Sequence, residues 1–469
     1  MDGEAADVAE QLGEVRRELA RIAFAEPDPL RTEDRSKRTA KLSIQREELE
    51  RSLQEQSAVF RRELAAWRAT PAALCDALPN GRNAIVDLLK YAYGDHRYLA
   101  FVMAAEDCTV HRVELGPAAP IDAAVRQWRE VLADPQALQN RVDARGVVVQ
   151  QLVWAPLADA LGSASRVLVV PDGPLTGAPL GALPTGEGRY LLEDVAISYL
   201  DLANDLLEPP DASATGALIV GGADYDAERE GKTGERARLA PCNDGGFQAL
   251  EGASAEADLV TSQWEKARRQ GAIDRLGGAE ATEDSVTEAL RGKALVHIAT
   301  HGFFATGRCR SMLTGDGDGF DPMLLSGLAL AGANQPPNPL AADDGILTAA
   351  ELAGIDLSGT ELVVLSACET GLGEVRSGEG VLGLRRAFSI AGARNLITSL
   401  WAVPDAATAE LMDEMYRSIL HRRRPLPAAD ALRKAKLALL SRQRASNQIR
   451  PQEWAGFIVS GPPSRPISR

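Results

Sequence analysis

The stretch Leu295-Val-His-Ile-Ala-Thr-His-Gly302 is an apolar run that ends in a histidine and a glycine. A second such run, Leu362-Val-Val-Leu-Ser-Ala-Cys368, ends in a cysteine. Short continuous apolar runs rich in aliphatic residues predict strands that are buried on both faces of a parallel sheet. The carboxyl ends of neighbouring parallel strands meet at one edge of the sheet. If these two strands are neighbours, His301 and Cys368 are predicted to lie close together.

Further runs of this kind flank these two, and helical segments separate them. The other predicted strands are 98–104, 109–115, 166–171, 196–200, 217–220 and 395–400. A helix is predicted over about 121–132, because Pro135 cannot continue it. This alternation predicts an α/β fold, with a mostly parallel sheet sandwiched by helices.

The first 72 residues follow a different pattern. Apolar residues recur at steps of three and four from 8 to 22, and near every seven residues from 42 to 67, which predicts a helical hairpin over 1–72. Two interpretations stay open, an arm packed on the body and a dimerising coiled coil. A smaller α/β lobe is predicted over 73–210 and a catalytic unit over 211–469. The stretch 305–344, rich in Gly, Asp, Asn and Pro, predicts a long mobile loop beside His301.

The composition excludes several classes of function. The formal net charge of −15 opposes binding to a phosphate backbone, so nucleic acid is not an expected partner. No apolar run reaches the roughly 18 residues of a membrane helix, and the acidic N-terminus is unlike a secretory signal, so a cytoplasmic protein is expected. The five cysteines are widely spread and lack C-x-x-C spacing, which indicates neither a disulfide framework nor a structural metal.

The residues at the two predicted strand ends include the chemical groups that an acyl-transfer reaction needs. Cys368 would be the nucleophile, and His301 would take its proton and return it to the leaving amine. Gly302 lacks a Cβ, so its N–H could approach a developing oxyanion together with the N–H of Cys368. No cofactor is required for this reaction. On spacing alone, ordinary packing also explains a cysteine and a histidine at strand ends.

The segments Ile298-Ala-Thr-His-Gly302 and Leu365-Ser-Ala-Cys-Glu-Thr-Gly371 resemble the histidine and cysteine motifs of CHAT peptidases, relatives of caspases and separase. The resemblance covers roughly residues 80 to 460. It continues in Arg166-Val-Leu-Val-Val-Pro-Asp-Gly173, Gly188-Arg-Tyr-Leu-Leu-Glu193, Leu396-Ile-Thr-Ser-Leu-Trp-Ala-Val-Pro-Asp405 and Trp454-Ala-Gly-Phe-Ile458. Residues 1–70 resemble helices that link tetratricopeptide repeats to such a domain, so the chain is either a short member or a fragment.

The resemblance implies a caspase-like fold and a cysteine endopeptidase that cleaves a specific protein substrate. It also implies control by a regulatory protein or an upstream signal, in bacterial defence or cell death. A non-catalytic scaffold of the same fold and a small-molecule acyl transferase remain as alternatives. His297, four residues before His301, is interpreted as a packed or supporting residue, although a metal pair is conceivable on a strand.

Two acidic residues are candidates for substrate binding. Asp405 is similar in placement to an aspartate of separase, and an acidic pocket would favour Arg or Lys before the cleaved bond. The alternative is that Asp405 caps a helix that starts near Ala406. Glu379, on the segment after Cys368, is the second candidate.

Overall fold

The computed structural model describes most of residues 69–467 and part of the N-terminal region. The described residues are 8, 11–15, 18–19, 32–56, 69–79, 81–186, 188–207, 213–228, 246–304, 323, 326–335, 343–366, 379–463 and 466–467. Only the backbone is described at 32–36, 50, 53–56, 304 and 379–382. Cys368 and most of the predicted 305–344 loop therefore lie outside the described residues.

Sixteen strands form in the described part of the chain. They are β1 (Asn83–Tyr93), β2 (Asp95–Ala104), β3 (Val110–Pro117), β4 (Arg166–Val170), β5 (Pro184–Gly186), β6 (Arg189–Tyr190), β7 (Ala196–Tyr199), β8 (Ala217–Ala223), β9 (Ile273–Gly278), β10 (Leu295–Ala299), β11 (Gly302–Phe304), β12 (Ser326–Ala329), β13 (Ile346–Thr348), β14 (Leu362–Leu365), β15 (Leu396–Ser399) and β16 (Phe457–Ser460).

Eleven of these strands make one sheet, in the order β3-β2-β1-β4-β7-β16-β15-β14-β10-β8-β9. Its pairs are parallel except for the β1–β2–β3 meander and the β15–β16 pair. The predicted mostly parallel sheet is therefore confirmed. The sheet runs without a break through the predicted lobe (73–210) and the predicted catalytic unit (211–469), because β16 pairs with β7. A separate antiparallel sheet, β11-β12-β13, stands at the carboxyl end of β10.

Helices cover both faces of the sheet. They are α1 (Thr32–Gln56), α2 (Pro71–Ala77), α3 (Ala118–Ala133), α4 (Gln139–Val149), α5 (Ala158–Leu161), α6 (Glu251–Ala267), α7 (Glu283–Leu290), α8 (Ala349–Leu352), α9 (Glu379–Ala391), α10 (Asp405–Ile419), α11 (Ala428–Ala445) and α12 (Pro451–Trp454). Helix α3 buries Ile121, Val125, Trp128 and Leu132, which recur at steps of three and four, and it ends just before Asp134 and Pro135.

The sheet separates two hydrophobic clusters, because successive side chains along each strand point to opposite faces. In β10, Leu295 packs in the cluster that includes Trp264 of α6, whereas Val296 packs in the opposite cluster with Leu290 of α7 and Phe388 of α9. Burying an apolar side chain of this size stabilises a protein by about 1.5–3 kcal/mol. Strand β10 is thus held on both faces, between its neighbours β14 and β8.

The predicted strands match the observed ones to within a few residues, and the predicted helix over 121–132 is confirmed as α3. In the eleven-stranded sheet, β1, β9 and β16 were not predicted from the sequence, and none of the short strands β5, β6, β11, β12 and β13 was predicted. Strand β12 is buried and lies within 305–344, so the prediction of a loop is wrong for that part of the stretch. In β1 the charged residues Asp87 and Lys90 interrupt the apolar run. In the N-terminal region, Val15 and Leu19 pack with Leu42 of α1 and Ala350 of α8, as expected for an arm on the body. The dimerising coiled coil stays a prediction.

The sequence analysis predicted no disulfide, and this prediction is wrong for one pair of cysteines. Cys75 in α2 and Cys108 after β2 form a disulfide, with Cα atoms 5.6 Å apart. The two residues are 33 positions apart, and the β2–β3 hairpin brings Cys108 back to α2. Sequence spacing does not reveal such a fold-dependent pairing.

In the part of the chain that the structure describes, no helix combines the length and the apolar composition that a membrane span needs.

Candidate active site

His301 lies between the carboxyl end of β10 and the start of β11. Its backbone carbonyl accepts a hydrogen bond from Ala329 N–H at 2.9 Å. The hydroxyl of the preceding Thr300 lies 2.9 Å from the Tyr225 hydroxyl and donates to the Ala329 carbonyl. The residue is buried, with 8% of its surface exposed. Backbone and side-chain bonds therefore fix His301 at the edge of the sheet.

Among the residues that the structure describes, the imidazole of His301 has one hydrogen-bond partner. Its Nε2 lies 2.7 Å from the backbone carbonyl oxygen of Gln248. A carbonyl oxygen can only accept, so Nε2 carries a proton, and in the neutral ring Nδ1 is the basic nitrogen. No sequence pattern predicted a role for Gln248, because the group involved is a backbone carbonyl.

Aromatic rings surround His301. The centroids of Tyr225 and Phe247 lie 5.2 and 5.6 Å from the imidazole centroid, and Phe303 packs against Phe247 at 5.8 Å. Burial lowers the pKa of His301 below its usual value, and the hydrogen bond to Gln248 opposes this shift in part. The neutral ring, which can accept a proton at Nδ1, is therefore favoured at neutral pH.

Gly302 begins β11, an edge strand of the small sheet. It faces Leu328 in the antiparallel ladder, next to the position where Ala329 N–H bonds the His301 carbonyl. In such a ladder, successive residues direct their N–H and C=O groups to alternate sides. The N–H of Gly302 therefore points away from β12.

Strand β14 is the parallel neighbour of β10 in the sheet, as the chemistry requires. Ile298 pairs with Leu365, and Ser366 N–H donates to the Ile298 carbonyl at 2.9 Å. His301 follows Ile298 by three positions, and Cys368 follows Leu365 by three positions. Cys368 itself lies outside the described residues, so its pairing with His301 stays a prediction.

Asp405 is exposed and lies at the same edge of the sheet, after β15. It is the first residue of α10 and Pro404 occupies the N-cap position, so Asp405 is not the N-cap residue and its carboxylate lies in the first turn. The Asp405 carboxylate covers Gly252 in the first turn of α6, where an added Cβ would meet Oδ2 at 2.8 Å. The segment that leads into α6 thus holds His301 through Gln248, and α6 contacts Asp405 through Gly252. Glu379 begins α9, and its side chain lies outside the described residues.

His297 does not share the surroundings of His301. It is fully buried, with Nδ1 2.9 Å from the Tyr416 hydroxyl and Nε2 3.3 Å from Glu256 Oε1. Among the described residues, no group of three or more His, Cys, Asp or Glu could hold a metal ion. The contacts agree with the prediction of a packed or supporting residue, and Glu256 and Tyr416 were not predicted from the sequence.

These features define an α/β protein with a histidine at the edge of a mostly parallel sheet. The chain belongs to the CHAT domain family, whose profile matches residues 144–462. Two curated relatives are both tetratricopeptide repeat protein 28. The human protein is 32% identical over 202 residues, 40% of this chain, and the mouse protein is 37% identical over 116 residues, 25% of this chain. The chain spans only 8% and 4% of their respective lengths.

Two solved structures are similar at a distance. One is the Saccharomyces cerevisiae separase–securin complex, with a TM-score of 0.45 and 9% identity over 85% of this chain and 31% of that chain. The other is the Arg-specific cysteine proteinase gingipain R, with a TM-score of 0.39 and 11% identity over 74% of this chain and 75% of that chain. The family assignment rests on the match over 144–462 and not on these structures.

Proposed function

We propose that this protein is a cysteine endopeptidase in which Cys368 is the nucleophile and His301 the general base. The observation that carries the proposal is the bond from His301 Nε2–H to the Gln248 carbonyl. It fixes the ring so that Nδ1 is the nitrogen able to accept a proton. The parallel β10–β14 pair, followed on each strand by three residues to His301 and Cys368, supports their proximity.

The reaction follows from these groups. Nδ1 of His301 takes the thiol proton as Cys368 Sγ attacks the scissile carbonyl carbon, and the N–H groups of Gly302 and Cys368 bind the oxyanion. The imidazolium returns the proton to the leaving amine, and a thioester remains. His301 then takes a proton from water as the water oxygen attacks the thioester carbonyl carbon, and the imidazolium returns that proton to the leaving Cys368 thiolate. The carboxylic acid product ionises in solution, and no step of the cycle calls for a cofactor.

We extend the proposal to substrate preference and biological role. Asp405, exposed beside α6, and Glu379 would favour Arg or Lys before the cleaved bond by charge complementarity. Family resemblance suggests a specific protein substrate, control by a regulatory protein or an upstream signal, a cytoplasmic location, and a role in bacterial defence or cell death.

The test uses the purified full chain with casein and with a peptide library. We expect wild-type protein to cut, Cys368→Ala to lose about 10⁴-fold or more of the activity while keeping its melting temperature, and Cys309→Ala to cut normally. Unchanged proteolysis by Cys368→Ala would contradict the assignment. Transfer of acyl groups from small-molecule donors, without cleavage of casein or peptides, would favour the small-molecule acyl transferase.

Fluorescent iodoacetamide separates the peptidase from the scaffold. A thiol activated by an imidazole reacts faster at neutral pH than an ordinary thiol with a pKa of about 8.5. We expect Cys368 to label faster than Cys242 and Cys309, and His301→Ala to remove the difference. Equally slow labelling of all three thiols would favour the scaffold.

A further inference from the structure

A chain of buried polar side chains crosses from the core to the end of β14. Tyr416 on α10 contacts His297 on β10, His297 contacts Glu256 on α6, and Glu256 Oε2 accepts a hydrogen bond from Ser366 Oγ at 2.9 Å. Tyr416 and His297 are fully buried, and Glu256 is 7% exposed. Ser366, which ends the network, is half-buried and stands two residues before Cys368.

The donors and acceptors of this network match one another. If the Tyr416 hydroxyl donates to His297 Nδ1, then Nε2 carries the proton and faces the Glu256 carboxylate, which only accepts when ionised. The 3.3 Å contact between His297 Nε2 and Glu256 Oε1 is not an aligned hydrogen bond, so we treat it as an electrostatic contact. The other oxygen of Glu256 holds Ser366 directly.

Stability alone does not explain this network. Replacing buried ionic groups with apolar residues of similar volume is often neutral or stabilising, because the desolvation of charges offsets their attraction. A buried carboxylate is more useful where it fixes the position of a group whose geometry matters. Ser366 is such a group, since its N–H also bonds the Ile298 carbonyl of β10.

Helix α6 connects this network to the base of the proposed reaction. The backbone carbonyl of Gln248, just before α6, orients His301, and Glu256, in the second turn of α6, holds Ser366. The helix therefore reaches both the strand end that carries the histidine and the strand end that leads to the cysteine.

We infer that Glu256, supported by His297 and Tyr416, is a positioning residue that sets the end of β14, the strand that leads to Cys368 in the sequence, relative to His301. The inference rests on the proposed function. Glu256 does not touch substrate and acts through Ser366.

The test compares Ser366→Ala and Glu256→Gln with Gln263→Ala. Gln263 also lies on α6 and bonds Asp413 of α10 at 2.8 Å, so its variant removes a polar contact between the same two helices outside the network. We expect Ser366→Ala and Glu256→Gln to lower kcat and the rate of Cys368 alkylation about 10- to 100-fold, with little change in KM. Gln263→Ala should leave both rates unchanged at a similar melting temperature.

Wild-type and variant results answer separate questions. Slow alkylation of wild-type Cys368 counts against the proposed function, whereas the variant-to-wild-type ratio decides the positioning role. Amide hydrogen exchange of the peptide spanning 362–368 tests the positioning role even in an inactive protein. Loss of the hydrogen bond between Ser366 and Glu256 should speed exchange in this peptide, whereas Gln263→Ala should leave it unchanged. Wild-type kcat and exchange in both Ser366→Ala and Glu256→Gln would overturn the inference, as would losses that merely follow melting temperature across all three variants.

Discussion

The Nε2 atom of His301 lies 2.7 Å from the carbonyl oxygen of Gln248, and the ring of Phe247, the residue before, packs against the same imidazole. One dipeptide thus both orients the base and shields it from water. Because burial lowers the pKa of His301, the imidazole stays neutral to lower pH than a free histidine. We expect the acid limb of Cys368 alkylation to lie below the usual histidine value of about 6.5.

Phe247→Ala tests whether burial by the Phe247 ring lowers the pKa of His301. Removing the ring admits water beside the imidazole, so the pKa of His301 should rise and the acid limb should move to higher pH. Phe247→Leu, which keeps an apolar cover, should move the limb less. An acid limb that stays in place in Phe247→Ala would show that burial by this ring does not set the pKa.

Asp405→Asn tests the proposal that the negative charge of Asp405 attracts a basic substrate side chain. Asp405 is exposed, so the attraction to a basic substrate side chain is partly screened. We expect kcat/KM for peptides with Arg or Lys before the cut to fall about two- to fivefold, with no change for peptides with a neutral residue there. Glu410→Gln, which removes a half-buried acidic group paired with Arg442 from the same helix, is the control. Equal effects of both variants on all peptides would contradict a specific site.

The Cys75–Cys108 bond should stabilise the N-terminal half of the sheet. Closing a loop of 33 residues restricts the unfolded chain by about 3–4 kcal/mol in the chain-entropy description. We expect Cys108→Ser to lower the urea midpoint in oxidising buffer and to match wild type when dithiothreitol is present. A wild-type protein whose midpoint does not respond to the reductant would contradict the prediction.

Glu283 should destabilise the fold at neutral pH. Burial raises its pKa well above the usual value, and the neighbouring carboxylates of Glu351, Asp344 and Asp343 raise it further. The folded state therefore binds a proton that the unfolded state releases, and stability is lost as pH rises above about 4.5. We expect Glu283→Gln to raise the free energy of unfolding by on the order of 1 kcal/mol at pH 7. Thermal melts at pH 4 and pH 7 check this, and an equal effect at both would contradict it.

Lys436 provides the corresponding prediction for a buried basic residue. It lines a small cavity between α11 and strands β7 and β16, and burial lowers its pKa to about 7. The unfolded state holds the proton up to a pH near 10.5, so stability falls as pH drops from that value towards 7. We expect Lys436→Met to gain about 1–2 kcal/mol at pH 7, discounted for partial exposure, and to lose this advantage near pH 10. Lys434→Met, at an exposed lysine paired with Glu414, should show no such gain.

The sequence was most informative where strands are continuous and apolar. The runs that form β4, β10 and β14 predicted a parallel sheet, because continuous apolar composition is typical of strands buried on both faces. The meander strand β1 escaped prediction, since tertiary packing tolerates Asp87 and Lys90 within it. The site was predictable only in its side-chain chemistry. The contribution of Gln248 comes from a backbone carbonyl, and that of Glu256 depends on how α6 packs against β8 and β10, close to the end of β14, which no local pattern specifies.

The placement of β16 has a consequence for how the chain acquires its structure during synthesis. Residues 457–460 fill the gap between β7 and β15, strands whose residues leave the ribosome much earlier. A polypeptide that stopped before residue 457 would lack the strand that joins β7 to β15, so each of these strands would have an unpaired edge. Unpaired strand edges promote aggregation, so such a polypeptide would be a candidate for chaperone binding or aggregation.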